Sequence, residues 1–463
     1  MNTELLVDER TGIVARLFAA DPEPWWPPGL TVCGTHVGDL AAHLPWPADR
    51  VSTGTAFADP DRAEKSAVGE AIERYCGNFV PEGLRRATYR ELVEAGYRAV
   101  DPEGLALYSR EQYAEPGSPF VPFERDLSVL WTHGVTLPED EPVLVPASLV
   151  YLNYHQPPRA GEPVTNFVML AGIAAGPDAR AARTAALEEV IERDATVVWW
   201  ANRLPARPVD VAHPRLAPYL TPDGRGPGWA TATGVEAPCR YRVVALPTVF
   251  DVAVIGVLLD DPEYKLSVFG VAARPDPVDA VLKALAEAVT LRRYALGLLD
   301  PDGDLWVSAR EGTIPIEFFH PHRHDRRYTD SYRGDFRDVV DLSCHSQIWL
   351  DPRLRPHLTP ITGDDRVIAL DDLPRVEGDP YTAYLERLAR VGLTAHAVDV
   401  TTPDVAAAGV SVSRVVVPGA YSNAPAAFPF LGGERLRTDP VRLGLRSAPT
   451  RDDELNLVPL PHT

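Results

Sequence analysis

Two stretches of this 463-residue chain carry the pattern Glu-x-x-Glu-Arg in surroundings unlike those of a water-facing helix. The first is Ala67-Val68-Gly69-Glu70-Ala71-Ile72-Glu73-Arg74, inside a helix expected over 61–79. There Asp59-Pro60-Asp61 supplies a cap and the apolar spacing is helical. The second is Ala186-Leu187-Glu188-Glu189-Val190-Ile191-Glu192-Arg193, inside a helix expected over 177–200 that opens on Pro177. Ser66, Glu70 and Glu73 share a helix face, and Glu189 and Glu192 are neighbours one turn apart. Acidic helix faces ordinarily meet water. Here the flanks are Ala67, Ala71, Tyr75 and Cys76 in one copy and Ala185, Val190, Ile191 and Ala195 in the other. Carboxylates in such company are costly unless a cation offsets them. Two copies more than a hundred residues apart point to two equivalent halves rather than a solenoid.

The rest of the chain narrows the class. A net charge of −20 argues against coating nucleic acid, which needs a basic face. No apolar stretch is long enough to span a membrane, and the acidic start lacks a signal-peptide layout, so a cytoplasmic protein is expected. Cys33, Cys76, Cys239 and Cys344 are scattered singly and read as small buried apolar residues. The three lysines, Lys65, Lys265 and Lys283, follow no glycine, so no Walker A loop exists; Gly-x-Ser-x-Gly and Gly-x-Gly-x-x-Gly are absent too.

Residues 1–60, with Pro22, Pro24, Trp25, Trp26, Pro27 and Pro28 clustered, read as a first irregular or extended segment. A catalytic domain is expected over 61–430 and a proline-containing tail over 431–463. Strand-like runs fall at 143–145, 148–152, 241–246, 252–259, 394–400 and 414–417, and further helices at 277–299 and 381–391. Residues 300–365 look irregular. Mixed elements of this kind give α/β or α+β, with glutamate-bearing helices around a central site.

The helix at 277–299 adds Glu287, followed by Arg292 and Arg293. Several carboxylates with one hydroxyl and few arginines can hold Mg2+, which takes oxygen ligands and shares them with phosphates and water. Such a set would be an ATP site built without a glycine-rich loop.

Ser66-x-x-x-Glu70-x-x-Glu73-Arg74 resembles the first ATP-binding motif of the YcaO family. Ala171-Gly172-Ile173-Ala174-Ala175-Gly176, leading to Glu189-Val190-Ile191-Glu192-Arg193-Asp194-Ala195, resembles the second. The segments 7–13, 145–150 and 428–436 are also similar, in order, across nearly the whole chain. The resemblance implies ATP and Mg2+ bound between glutamate-bearing helices. Glu70, Glu73, Glu189 and Glu192 would hold the metal, and Ser66, Arg74, Arg193, Glu287 and Arg292 would complete the nucleotide site. It further implies activation of a peptide backbone amide, best known from conversion of Cys, Ser or Thr to thiazoline or oxazoline in a ribosomally made precursor. Amidine macrocyclisation, thioamide formation and a non-catalytic ATP-binding scaffold are the alternatives.

Azoline-forming relatives commonly end in a proline-alternating tail beside the ATP site. This chain ends Val458-Pro459-Leu460-Pro461-His462-Thr463, and the resemblance makes His462 and Thr463 catalytic. The expected partners are the precursor peptide and a leader-binding protein of the ubiquitin-activating type, without nucleic acid or membrane, and a homodimer is compatible. The chain departs from the family at Gly54-Thr55-Ala56, where Gly-Lys-Gly is common, at Ala185 in place of Ser and at Thr290 in place of Gln. His320, His322 and His324 alternate as a strand-borne metal site would, but their arginine- and proline-rich setting favours an exposed loop. Cys344-His345 makes a poor dyad, because adjacent residues of a strand point apart, and Cys33 and His36 are placed in a glycine-rich turn.

Overall fold

A computed structural model describes residues 5–462 apart from 24, 39, 41–43, 45, 47–49, 222–223, 225–238 and 312–317. Three long helices organise it. Helix α1 (Pro60–Asn78) is capped by the Asp59 side chain on Arg62 N, α2 (Ala179–Ala201) by Asp178 on Ala181 N, and α3 (Pro277–Leu299) by Asp276 on Val278 N. All three lie where the capping residues and apolar spacing put them.

Each helix follows a strand that it packs on. The first sheet is an antiparallel trio, β1 (Val14–Ala19), β2 (Leu30–Val37) and β3 (Val51–Phe57), and α1 lies on β3. The segment expected to be irregular or extended holds these three strands, and Cys33 and His36 sit on β2 rather than in a turn. The second sheet runs β4 (Arg85–Ala87), β5 (Val129–Thr136), β13 (His396–Asp399), β14 (Ser411–Val416) and β7 (Ile173–Gly176), with β6 (Glu141–Pro146) also paired to β5. Helix α2 packs on β7 and β14. The third runs β11 (Leu266–Ala273), β10 (Val254–Asp261), β9 (Arg240–Ala245), β8 (Arg207–Asp210) and β12 (Ile368–Ala369), with α3 on β11 and β10.

Glycine lets these helices approach. A Cβ on Gly54 of β3 would lie 2.2 Å from Ala67 N of α1, and one on Gly270 of β11 would lie 2.5 Å from Ala288 N of α3. Both facing helix residues are alanine, so strand and helix backbones nearly touch. The similarity also widens from two copies to three, since Ala284-Leu285-Ala286-Glu287-Ala288-Val289-Thr290 repeats the spacing with a single glutamate. Across units α1 packs on β7, α2 on β11 and α3 on β3, so the three close into a ring.

The largest core draws on all parts of the chain, from Trp25 and Trp26 through Trp199 and Phe269 to Val458 and Leu460. Residues expected as a strand at 148–152 instead begin in a single 3-10 turn, Ala147–Leu149. The stretch taken as irregular holds short helices at Asp304–Arg310 and Ser343–Ile348. Among the described residues no helix is long and apolar enough to cross a membrane.

Candidate functional site

The close strand–helix packing gives every expected glutamate a backbone partner. Glu70 Oε2 accepts from Thr53 N at 2.9 Å, and Glu189 Oε2 from Gly172 N at 2.8 Å. Glu287 Oε2 accepts from Val271 N at 2.8 Å. These three reach their own unit. The second glutamate of each pair instead reaches the next unit in the ring, Glu73 Oε1 to Ala175 N at 2.8 Å and Glu192 Oε2 to Ala273 N at 3.0 Å. At the corresponding place in α3 stands Thr290, whose hydroxyl bonds back to Glu287 O. Each carboxylate spends one oxygen on the backbone and, with about four lone-pair sites, keeps acceptor capacity for a ligand.

Five acids need compensation. Arg74 lies 3.8 Å from Glu70 Oε1, and Arg193 lies 3.5 Å from Glu192 Oε1. Arg414 is fully buried behind them and donates to three carbonyls, Val150 at 3.0 Å, Ala171 at 2.5 Å and Met169 at 2.8 Å. It thereby fixes the turn whose Gly172 N–H holds Glu189. Burial lowers its pKa to about 10, with Glu189 acting in the opposite sense. Burial drives Glu73 up to about 8, and the neighbouring Glu189 and Glu70 add to the rise. Glu192 is raised by burial against the pull of Arg193. Burial would raise Glu287 as well, but the Arg193 and Lys283 charges and the Val271 N–H outweigh it and hold it below the usual range. Burial thus favours the protonated form of Glu73 and Glu192 but not of Glu287.

The tail reaches the same place. Trp200 Nε1 donates to Val458 O at 2.7 Å, Trp349 Nε1 to Pro459 O at 2.8 Å and Phe269 N to Pro461 O at 2.8 Å. His462 is buried, its Nδ1 donating to Phe269 O at 3.0 Å. A carbonyl only accepts, so this bond leaves the lone pair on Nε2, which lies against Arg193 Nη1. Burial holds the ring neutral, at about 4. Thr463 lies outside the described residues.

Ser66 is exposed on α1, one turn before Glu70. Arg292 does not join the glutamates. It is sequestered in an ion pair with fully buried Asp261, Nε to Oδ2 at 2.7 Å, and lies over the Trp25 ring. Five residues on from Glu287 is about 140° around the helix, which turns Arg292 to another side. The three histidines are not on a strand; His322 Nε2 bonds Leu299 O, and no trio of metal-binding side chains converges among the described residues. Cys344 and His345 occupy a short helix, with Cys344 Sγ on Phe318 O and His345 Nε2 accepting from Ala426 N.

Three residues were not anticipated. Asp194 on α2 takes a two-pronged pair from Arg435, at 2.7 and 2.9 Å, tying the second glutamate motif to the 428–436 segment. Arg414 carried a signal, a lone charge inside the apolar run 410–417.

The donor set fits a hard cation shared with phosphates. Oxygen ligands are in excess over arginine, yet no three converge tightly enough to enclose a metal alone, and Mg2+ commonly takes one or two carboxylates with the remainder from phosphate and water. Carboxylates on three ring-forming helices, each pinned to a strand, define an α/β protein whose candidate ligand site is lined by helix faces. The chain belongs to the YcaO family: the family model described as YcaO cyclodehydratase, ATP- and Mg2+-binding, matches residues 56–421. An uncharacterized protein of Methanothermobacter thermautotrophicus is 26% identical over 392 residues, covering 83% of this chain and 82% of that one. A heterocyclase solved in complex with substrate and cofactor superposes with a TM-score of 0.69 at 22% identity, covering 98% of this chain. The chain spans only 56% of that heterocyclase. YcaO from Methanopyrus kandleri bound with AMPPCP and Mg2+ gives a TM-score of 0.56 at 21% identity, covering 90% of this chain and 91% of that one.

Proposed function

We propose that this chain is an ATP-dependent cyclodehydratase that converts Cys, Ser or Thr of a ribosomally made peptide to thiazoline or oxazoline. The observation that carries this reading is the tail, docked bond by bond so that His462 meets Arg193 beside Glu192 and Glu287. A pre-extended Leu-Pro-His segment reaches that point with little ordering cost.

Glu70, Glu73, Glu189 and Glu192 would hold the cation, and Arg74 and Arg193 would face phosphate oxygens. ATP with Mg2+ supplies, when bound, the phosphoryl group that makes an amide oxygen a leaving group. The substrate thiol or hydroxyl adds to the preceding carbonyl carbon and gives up its proton. His462 Nε2, whose lone pair is freed when Arg193 Nη1 turns from it to the substrate oxygen, is the proposed acceptor, with Thr463 next to it in sequence. Arg193 stabilises the oxyanion that forms. The oxygen departs as phosphate and the former amide nitrogen gives up its proton as the ring C=N forms, so the peptide loses one water per residue. A partner protein of the ubiquitin-activating type would present the precursor's leader.

Mass spectrometry of a precursor peptide incubated with the chain, partner, ATP and Mg2+ tests this. Loss of one water per modified residue is expected. Exchange of oxygen for sulfur would mean thioamide formation, and no ADP release with any partner would refute the enzyme reading.

Proton linkage gives a second check. With Glu73 at about 8, it is protonated at pH 7 and must be deprotonated to ligate a cation. Binding of ATP–Mg2+ is expected to release protons at pH 7 and to tighten as pH rises from 6 to 8, then level off. Calorimetry in buffers of different ionisation enthalpy measures the release; zero protons released would remove Glu73 from the ligand set.

A further inference from the structure

A cavity of about 90 Å³ opens beside Arg193 and His462, along α2 from Glu189 and Glu192 toward the helix C-terminus. Its wall is apolar, built by Val197, Trp200, Leu342, Phe430, Leu431 and Leu460. Helix α2, the docked tail and the 422–431 loop each supply a side, so it exists only when the tail is seated. One buried donor borders it without a hydrogen-bond partner, Arg193 Nε, and His345 turns its Nδ1 side to the tail backbone at Leu460 and His462. His345 Nε2 accepts from Ala426 N, so the neutral ring carries its proton on Nδ1, and the ring is only 4% exposed. An apolar recess bordered by a small number of placed polar groups is the usual form of a ligand subsite.

We infer that this cavity is a side-chain subsite for a branched aliphatic residue, Val, Leu or Ile, immediately preceding the residue that is cyclised. The inference rests on the proposed function and deepens it. The activated carbonyl belongs to the preceding residue, so its Cα is bonded directly to the carbonyl carbon. With that oxygen at Arg193, the nearest side chain is the preceding residue's own, and the cavity adjoins Arg193. Size sets the class: an apolar cavity of about 150 Å³ holds benzene, so this smaller one suits an isopropyl or isobutyl group rather than a ring. The unpaired N–H of Arg193 would meet a carbonyl oxygen that flanks that side chain.

The test uses N-acetyl N-methylamides of leucine, valine, alanine, phenylalanine and glutamine as probes of the ATP–Mg2+-loaded chain, followed by ligand-observed NMR titration. Leucine and valine probes are expected to bind about tenfold or more tighter than alanine, phenylalanine or glutamine. Ala424→Leu, on the lining loop, and Val197→Phe, on α2, are expected to erase that preference while ATP–Mg2+ affinity and the melting temperature hold. Equal binding of all probes to the wild type, or a preference surviving in both folded variants, would overturn the subsite. Failure of the wild type to bind ATP–Mg2+, read in the same samples, would instead count against the function on which it rests.

Discussion

Glu73→Gln and Glu192→Gln are each expected to lower ATP turnover by about a hundredfold or more while leaving a fold at least as stable as the wild type. The pins explain why both halves of that outcome go together. Glu73 and Glu192 each accept one strand N–H, from Ala175 and Ala273, and an amide oxygen can take the same bond. What glutamine removes is the charge and the second ligand oxygen. Structural loss is therefore separated from functional loss, as it is not for alanine, which would also orphan a strand N–H. The pH dependence carries a sign. Glu73 has its folded pKa raised from 4.5 to about 8, so the folded state binds the extra proton between those values. Its contribution to stability is complete below about 4.5 and is lost as pH rises toward 8, by at most ~1.4 kcal/mol per unit. Urea midpoints of wild type and Glu73→Gln should diverge in that window, the variant becoming relatively more stable at pH 8. Full turnover in both variants would mean that the cation sits elsewhere.

The helices that carry these residues were legible because their signals are local. Asp59, Asp178 and Asp276 cap helices whose first residues follow at once, and the paired glutamates sit one turn apart on α1 and α2. What holds the glutamates was not legible. Glu73 and Ala175 are 102 residues apart, and Glu192 and Ala273 are 81 apart, so neither pin leaves a mark in any window. Strand β11 was missed for a different reason: LSVFGVAA is buried on both faces and shows no alternation, and Gly270, which makes the close approach, reads as a breaker. The resemblance implies Arg292 in the nucleotide site, and helix rotation carries it to Asp261 instead. The histidine run was correctly weighed toward a loop, since its proline and arginine neighbours are incompatible with a buried strand.

The segment 428–436 resembled the family without offering a chemical reason, and the Asp194–Arg435 pair supplies one. Asp194 follows Arg193 on α2, so its carboxylate is turned away from the ring and into the protein, where it accepts from Tyr421 N at 2.9 Å and from both arms of Arg435. Arg435 also holds Asp439 at 2.6 Å. Tyr421 closes the knot, donating to Gly432 O and accepting from Leu436 N. Phe430, carried by the same segment, forms a wall of the cavity beside Arg193. Arg435→Met would keep most of the volume and leave two carboxylates, 1–2% exposed, with only Tyr421 N–H and Arg442 at 3.4 Å in compensation. Breaking a buried pair from one side costs about 3–5 kcal/mol. The variant's urea midpoint at pH 7 is expected to fall accordingly, and the deficit is expected to shrink toward pH 5 as the stranded carboxylates take up protons in the folded state. Asp194→Asn should cost less, because Asp439 still faces Arg435 and the amide oxygen can keep the Tyr421 N–H. A loss below about 1 kcal/mol in Arg435→Met would show that the 428–436 segment is held by its apolar contacts alone, and that α2 does not depend on it for the position of Arg193.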